Sequence, residues 1–198
     1  MTGQIADQVR WRNKSHDVTA VDGSGLFEAV GVQAVSTACY RGYVASYEIH
    51  GHRLVLVALD VDPEYDGAHL GGSWAMSDDG LREFRGLDVP VPFTGRLLVG
   101  AGYVDIGRLH MGFRPAFGYR RVWELVFDAG RLVAARDRSA ALAAVRRAGI
   151  RPGPADGEPT GDWIERTFSL SFAYSWPGSD GTDGPPAGDR GAGSPTGG

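Results

Sequence analysis

The segment Arg41-Gly42-Tyr43 places a charged side chain, a flexible backbone and an aromatic ring next to one another. A glycine inside a strand often marks a bulge, or a point where a ligand or another backbone approaches closely. The arginine beside it could hold a carboxylate or a phosphate through two parallel hydrogen bonds. We favour a structural interpretation, in which Arg41 pairs with Asp60 and closes one end of a hairpin, because ion pairs of this kind are common without function.

Cys39 and two histidines are the other reactive side chains in this region. A catalytic thiol needs a nearby base. No motif typical of cysteine hydrolases surrounds Cys39, so we expect a buried core residue. His50 and His52 alternate, as metal ligands on one strand do. A turn separates their directions and no third ligand follows at a recognisable spacing, so the sequence predicts a surface turn and no metal site.

Two further patterns approach known ligand-binding loops without meeting their requirements. Acidic residues alternate as in a calcium loop at Asp60, Asp62, Glu64 and Asp66. The EF-hand loop needs glycine at its sixth position and glutamate at its twelfth, where this chain has Tyr65 and Gly71. Gly100 and Gly102 could begin a nucleotide-binding loop, but Asp105 stands in place of the third glycine. We therefore expect an acidic surface turn and no cofactor.

Residues 100–119 are a better candidate for a functional loop, with five glycines and several aromatic side chains. Loops longer than about 12–15 residues are uncommon unless they are functional or disordered. Because so much aromatic surface is not stable in water, we expect the loop to pack on the sheet or on a partner. His110 is its candidate base. No nucleophile or carboxylate lies near His110 in the sequence, so we favour a packing role and predict no catalytic residue.

Alternation of apolar and polar residues predicts a protein built mostly from strands. We expect strands at residues 8–12, 16–20, 38–49, 52–60, 93–99, 122–127, 131–136 and 163–176. Residues 139–148 form the one predicted helix, because they are rich in alanine and are followed by Gly149. Short turns favour antiparallel neighbours. The predicted fold is α+β and mostly β, with a single antiparallel sheet that is strongly curled or forms a partial barrel, and the helix packs on one face or end.

The register of the central hairpin depends on its turn. We prefer a turn at residues 50–51, because the facing positions then pair Glu48 with Arg53 and Arg41 with Asp60. Opposite charges at facing positions stabilise a sheet. The competing register moves the turn one residue later and loses both charge pairs.

Residues 1–176 are predicted to form one globular domain, with a linker-like stretch at 151–161. Residues 177–198 contain eight glycines and four prolines in 22 positions, and no aliphatic residue larger than alanine. Such a segment buries too little apolar surface to offset its ordering entropy, so we expect a disordered tail.

The composition excludes several classes of protein. A net charge of −4 and an isoelectric point near 5.7 argue against nucleic-acid binding. The longest aliphatic run has six residues, whereas a membrane-spanning helix needs about 20. The first ten residues lack the apolar centre of a signal peptide. A single cysteine permits no intrachain disulfide. Together these features predict a cytoplasmic protein that binds neither nucleic acid nor membrane.

Residues 36–49 read STACYRGYVASYEI. They are similar to a strand signature of small bacterial proteins of unassigned function, approximately Thr-Ala-x-aromatic-Arg-Gly-Tyr-x-Ala-x-aromatic-Glu-Ile. Three later segments resemble the same group: Phe93-Thr94-Gly95-Arg96-Leu97, His110-Met111-Gly112-Phe113, and Glu124-Leu125-Val126-Phe127 leading into Gly130-Arg131-Leu132-Val133. The resemblance covers residues 11–133 and implies a shared fold without assigning a chemistry.

The leading hypothesis is a non-enzymatic cytoplasmic binding protein that acts through protein–protein contact, as an immunity, antitoxin-like or accessory factor. Its partner would be an unidentified protein. The expected contact surface combines the loop that carries His110, Phe113 and Tyr119 with Arg41 and Arg114. Aromatic residues, methionine and arginine are enriched at protein interfaces, which is the basis of this prediction.

The alternative hypothesis is a small-molecule-binding β-barrel, or a cofactor-free hydrolase or isomerase built on one. Barrels of about eight strands can hold one small ligand. The expected pocket is lined by Tyr43, Tyr47, Trp123 and His110, with Arg41 as the polar anchor. A deep interior cavity would favour this alternative, whereas a filled core with a flat aromatic patch would favour protein binding.

Overall fold

The computed structural model describes residues 3–78, 80–104, 106, 111–154 and 157–178. Within these residues the strands are β1 (Gln8–Trp11), β2 (Lys14–Ser24), β3 (Tyr43–His50), β4 (Arg53–Val61), β5 (Ser73–Met76), β6 (Arg82–Pro90), β7 (Thr94–Tyr103), β8 (Tyr119–Asp128) and β9 (Arg131–Asp137). The helices are α1 (Ser139–Arg147), α2 (Thr160–Phe168) and α3 (Phe172–Ser175). The mostly-β fold class is confirmed, whereas the expectation of a single helix is wrong.

Seven strands close into a barrel in the order β3-β1-β2-β7-β8-β9-β4, because β4 pairs in turn with β3. The predicted partial barrel therefore understates the closure. Among the described strands, β1 and β3 are the one parallel pair, with Gln8 opposite Ser46, so the expectation of a purely antiparallel sheet is wrong there. Beyond the barrel, β4 also pairs with β6 and β6 pairs with β5, which places these two strands outside the closed wall.

Side chains fill the interior of the barrel. The inward-facing cluster draws on β1, β3, β4, β7 and β8 and includes the fully buried Val9, Tyr47, Leu56, Leu97 and Phe127. A second cluster lies on the outer face of β2, β7 and β8, where α1 and the segment before β8 cover the wall. Strands β2, β7 and β8 are therefore packed on both faces, which makes them a rigid scaffold.

Helix α1 is confirmed where the sequence predicts it, and it covers the outer face of β8. The Ser139 hydroxyl at its start accepts a hydrogen bond from the Val122 N–H at 3.0 Å. Leu142 is fully buried against the barrel. In the last turn, Arg146 donates a hydrogen bond to the carbonyl oxygen of Tyr119 at 2.6 Å.

The central hairpin between β3 and β4 adopts the competing register, so the preferred one is wrong. Gly51 and His52 form the turn, and Glu48 faces Val55 instead of Arg53. The registers differ by two residues in pairing, so every side chain keeps its face and the apolar pattern does not separate them. The turn decides, because Gly51 adopts a φ of 63° without the steric cost that a histidine would carry. Surface charge pairs contribute too little to reverse this preference.

Residues 163–176, predicted as a strand, form α2 and α3 instead. Leu170 lies between the helices with a φ of 50°, and its carbonyl oxygen accepts a hydrogen bond from the Val21 N–H at 2.9 Å. The Ser171 hydroxyl then caps α3 by accepting a hydrogen bond from the Tyr174 N–H at 3.3 Å. The apolar alternation that predicted a strand therefore spans a junction between two helices.

Two segments near the C-terminus were predicted to lack regular structure, a linker at 151–161 and a tail at 177–198. In the predicted linker at 151–161, the described residues contain no helix or strand before α2 begins at Thr160. The tail predicted to be disordered begins at residue 177, and residues 179–198 lie outside the described part of the chain. None of the described helices has the length and hydropathy required to span a membrane.

Candidate functional site

Arg41 forms a two-point ion pair with Asp7, and the predicted pairing with Asp60 is wrong. The two guanidinium nitrogens donate hydrogen bonds to the two carboxylate oxygens at 2.8 and 3.0 Å. Asp7 also accepts a hydrogen bond from the Ala45 N–H at 2.8 Å. The side chain of Asp7 is 1% exposed and that of Arg41 is 25% exposed. Asp60 lies elsewhere and pairs with Arg85 on the surface.

Aromatic side chains enclose this ion pair. The Arg41 Cζ atom lies 4.8 Å from the ring centroid of Tyr43 and 5.1 Å from that of Phe113. Burial raises the pKa of Tyr43 to about 12 and that of Tyr47 well above its usual value. Four of the predicted site residues therefore lie together: Arg41, Tyr43, Tyr47 and Phe113. The Arg41 guanidinium, however, already binds the Asp7 carboxylate. The cluster joins three parts of the chain and leaves no open site for an anion.

A second group of polar side chains surrounds a small pocket of about 250 Å³. The Tyr119 hydroxyl donates a hydrogen bond to Asp17 at 2.5 Å, and Gln8 donates to the other carboxylate oxygen. Burial and the adjacent Asp17 carboxylate raise the pKa of Tyr119. Arg114, also at the pocket, lies over the Tyr103 ring at 4.6 Å. The carboxylate is thus already satisfied, and the pocket is smaller than the roughly 300–1,000 Å³ of typical ligand sites.

Trp123 packs against the same interior cluster that contains Tyr43 and Tyr47, beside Trp11. Its ring packs edge-on against Trp11, with 4.8 Å between the centroids. The Arg12 Cζ atom lies 4.3 Å from the Trp11 centroid and 4.8 Å from that of Trp123. Trp123 is therefore a packing residue at the filled core.

The aromatic loop packs on the body of the protein. Met111, Phe113, Phe117 and Tyr119 are each buried, and the Phe113 N–H donates a hydrogen bond to the Thr167 carbonyl oxygen at 2.8 Å. The described residues 111–119 thus supply core contacts instead of a flat aromatic patch, and Arg114 is the exposed member of the predicted set in this segment. His110, the candidate base, lies outside the described residues.

The other reactive side chains have ordinary structural roles. Cys39 is 4% exposed, which confirms a buried residue, and burial raises the pKa of its thiol. Asp62, from the predicted acidic turn, accepts hydrogen bonds from the N–H groups of Glu64 and Gln33, which lower its pKa. Among the described residues, no group of three potential metal ligands is present.

The hairpin of β5 and β6, which lies outside the barrel wall, was not predicted from the sequence. On β5, Trp74 is 58% exposed and Met76 is 52% exposed. The Arg82 Cζ atom of β6 lies 4.7 Å from the Trp74 ring centroid. The available signal was the alternation in Ser73–Met76 between a glycine pair and an acidic residue, which is short but typical of a strand.

Comparisons with protein-family models, curated proteins and solved structures found no match to this chain. The resemblance of residues 36–49 to a bacterial strand signature stays a prediction.

Proposed function

We propose that this protein is a non-enzymatic binding protein that acts through protein–protein contact, with the β5–β6 hairpin as the contact element. The observation that carries the proposal is the exposure of Trp74 and Met76, each more than half open to solvent on one short strand. Tryptophan, methionine and arginine are among the residues enriched at protein interfaces. Covering the exposed half of each side chain contributes on the order of 1 kcal/mol.

The backbone of β5 offers a second means of recognition. Among the described strands β5 pairs with β6 alone, so its outer edge carries unpaired N–H and C=O groups. An extended segment of a partner protein can add to such an edge as a further strand, and its side chains then meet Trp74 and Met76.

The hairpin is held in place before any partner arrives. Arg82 stacks on the Trp74 ring, and its guanidinium also donates a hydrogen bond to the Tyr65 carbonyl oxygen at 2.6 Å. Phe84, opposite Trp74 in the register, is buried in the core. A preorganised contact element loses less conformational entropy on binding, which raises affinity.

The packing of the barrel favours surface recognition over the alternative of a ligand inside it. Tyr43 and Tyr47, expected to line an interior pocket, are packed in the core, and Arg41 is engaged by Asp7. We infer that the protein works as an accessory, immunity or antitoxin-like factor. A cytoplasmic location fits the single cysteine.

Site-specific photo-crosslinking in the cells that produce the protein tests this proposal. We would replace Met76 with p-benzoylphenylalanine and, as a matched control, Val133, which is 55% exposed on β9. The proposal predicts one discrete light-dependent adduct from position 76 and none from position 133. Adding Trp74→Ser is expected to reduce the adduct at least about fivefold while stability changes by no more than about 0.5 kcal/mol. Equal adducts at both positions, or none at position 76, would refute it.

A further inference from the structure

A cleft of about 550 Å³ lies where the β3–β4 turn, the β8–β9 turn and the connection after β6 meet. We call it the seam cleft and define it by His52, Arg53 and Arg131 at its rim and Leu54 and Val91 in its floor. It meets the β5–β6 hairpin at Pro90, the last residue of β6, but neither Trp74 nor Met76 lines it. It also contains no residue of the clusters around Arg41 and Tyr119.

Closure of the barrel fixes the two arginines opposite each other. Strands β4 and β9 meet through a single register pair, Arg53 with Arg131. Two backbone hydrogen bonds flank it, from the Leu54 N–H to the Gly130 carbonyl at 2.8 Å and from the Leu132 N–H to the His52 carbonyl at 2.7 Å. Like charges at directly opposite positions destabilise a sheet, so this pair works against the closure that it occupies.

Neither guanidinium has a counter-ion within the described residues. In the part of the chain that the structure describes, Arg53 and Arg131 form no ion pair, whereas Arg41, Arg85, Arg96, Arg136, Arg138 and Arg166 each contact a carboxylate. Two nearby carboxylates contact His50, which lies 3.4 Å from Glu48 and 4.0 Å from Asp88. A third, Asp128, faces Arg131 in the β8–β9 register but forms no ion pair with it among the described residues. The seam cleft therefore carries two guanidinium groups that no ion pair engages, with His52 beside them.

The cleft has the chemistry of a phosphate site with room for an organic group. A guanidinium presents paired donors that match phosphate oxygens, and two of them balance a dianion. The buried side chains of Leu54 and Val91 form an apolar floor, which strengthens the electrostatic attraction above it. A phosphate group fills only a small part of 550 Å³, since one water molecule takes up about 30 Å³. We propose that the seam cleft binds a small phosphate monoester, with Arg53 and Arg131 on the phosphate and the organic group over the floor.

Titration of the full chain with phenyl phosphate, followed by amide NMR, tests this inference. The proposal predicts saturable shifts centred on the amides of Arg53, Arg131 and His52. It also predicts that Arg53→Gln and Arg131→Gln each weaken binding about tenfold or more, the loss expected from a charge-assisted hydrogen bond. The matched control is Arg120→Gln, an exposed arginine of β8 whose loss changes the net charge equally and leaves binding within about twofold.

The variants remain interpretable because removing one of two facing like charges relieves repulsion. Arg53→Gln is therefore expected to melt at the same temperature as the parent protein or higher. Inorganic phosphate is expected to bind at the same amides but about tenfold more weakly than phenyl phosphate, because it leaves the floor uncovered. Scattered shifts without saturation, equal weakening by Arg120→Gln, or benzoate binding more tightly than phenyl phosphate would overturn the inference.

Discussion

Removing the Arg41 guanidinium probes the ion pair with the buried Asp7 carboxylate. In Arg41→Ala, the Asp7 carboxylate loses two of its hydrogen bonds and keeps the one from the Ala45 N–H. Breaking a buried ion pair by deleting one partner costs about 3–5 kcal/mol. Arg41 retains a quarter of its exposure, so we expect the lower end, about 3 kcal/mol. For a chain of this length that corresponds to a Tm lower by about 6–12 °C.

A double-mutant cycle in urea separates the pair from the rest of the site. Asp7→Asn removes the charge and keeps an oxygen for the Ala45 N–H, so the Arg41→Ala/Asp7→Asn protein is expected to recover part of the loss. The coupling energy between the two positions is expected to be about 2 kcal/mol. The matched control is Asp60→Ala, whose effect adds to that of Arg41→Ala within about 0.5 kcal/mol because Asp60 pairs with Arg85. Coupling to Asp60, or an Arg41→Ala protein as stable as the parent, would refute this reasoning.

Three further perturbations follow from other buried groups. Burial lowers the pKa of His16 below its ordinary 6.5, so the unfolded chain takes up the proton first and stability falls as the pH drops below about 6.5. Urea titrations at several pH values measure how the free energy of unfolding depends on pH, and His16→Gln is expected to weaken this dependence. Cys39, 4% exposed, is expected to react with iodoacetamide at least about 100-fold more slowly in the native protein than in urea, and mass spectrometry measures both rates. Glu124→Gln leaves Arg136 and Arg138 without their buried carboxylate and is expected to cost about 3 kcal/mol, and an unchanged urea midpoint would contradict this.

Local patterns are enough to identify the strands that the barrel buries on one face or both. The alternation around Leu54, Leu97 and Leu125 predicts β4, β7 and β8 because each side chain that enters the filled interior is followed by one that leaves it. The same logic fails for residues 163–176, where the alternation of Leu170, Phe172 and Tyr174 crosses a helix junction. A pattern of a few residues does not distinguish a strand from such a helix junction. In both, apolar residues at every second position lie against the same surface.

Pairings between distant parts of the chain were beyond local patterns. The parallel contact of β1 with β3 places Gln8 opposite Ser46 and closes the barrel, yet neither strand encodes that choice by itself. Asp7 was missed for the same reason, since it meets Arg41 only once β1 lies beside β3. The sequence therefore singled out an arginine that forms a largely buried ion pair, but assigned it the wrong acid.

Both proposed surfaces arise where the sheet branches at β4. One edge of β4 is covered by β3 along its length, and the other is shared between β9 at Arg53 and β6 from Val55 onward. Leu54 is the branch point, since its N–H donates to Gly130 on the β9 side and its carbonyl accepts from the Val91 N–H at 3.0 Å.

Strands β6 and β9 diverge at Leu54, and this divergence has two consequences. It opens the seam cleft between the β8–β9 turn and the connection after β6, and it carries the β5–β6 hairpin beyond the wall. The interior behind β4 is filled and tightly packed, so a change at one surface is not expected to alter the conformation of the other. Loss of Trp74 is therefore expected to leave phenyl phosphate binding unchanged, and loss of Arg53 to leave crosslinking at position 76 unchanged. An effect of either substitution on the other assay would mean that the hairpin and the cleft form one site.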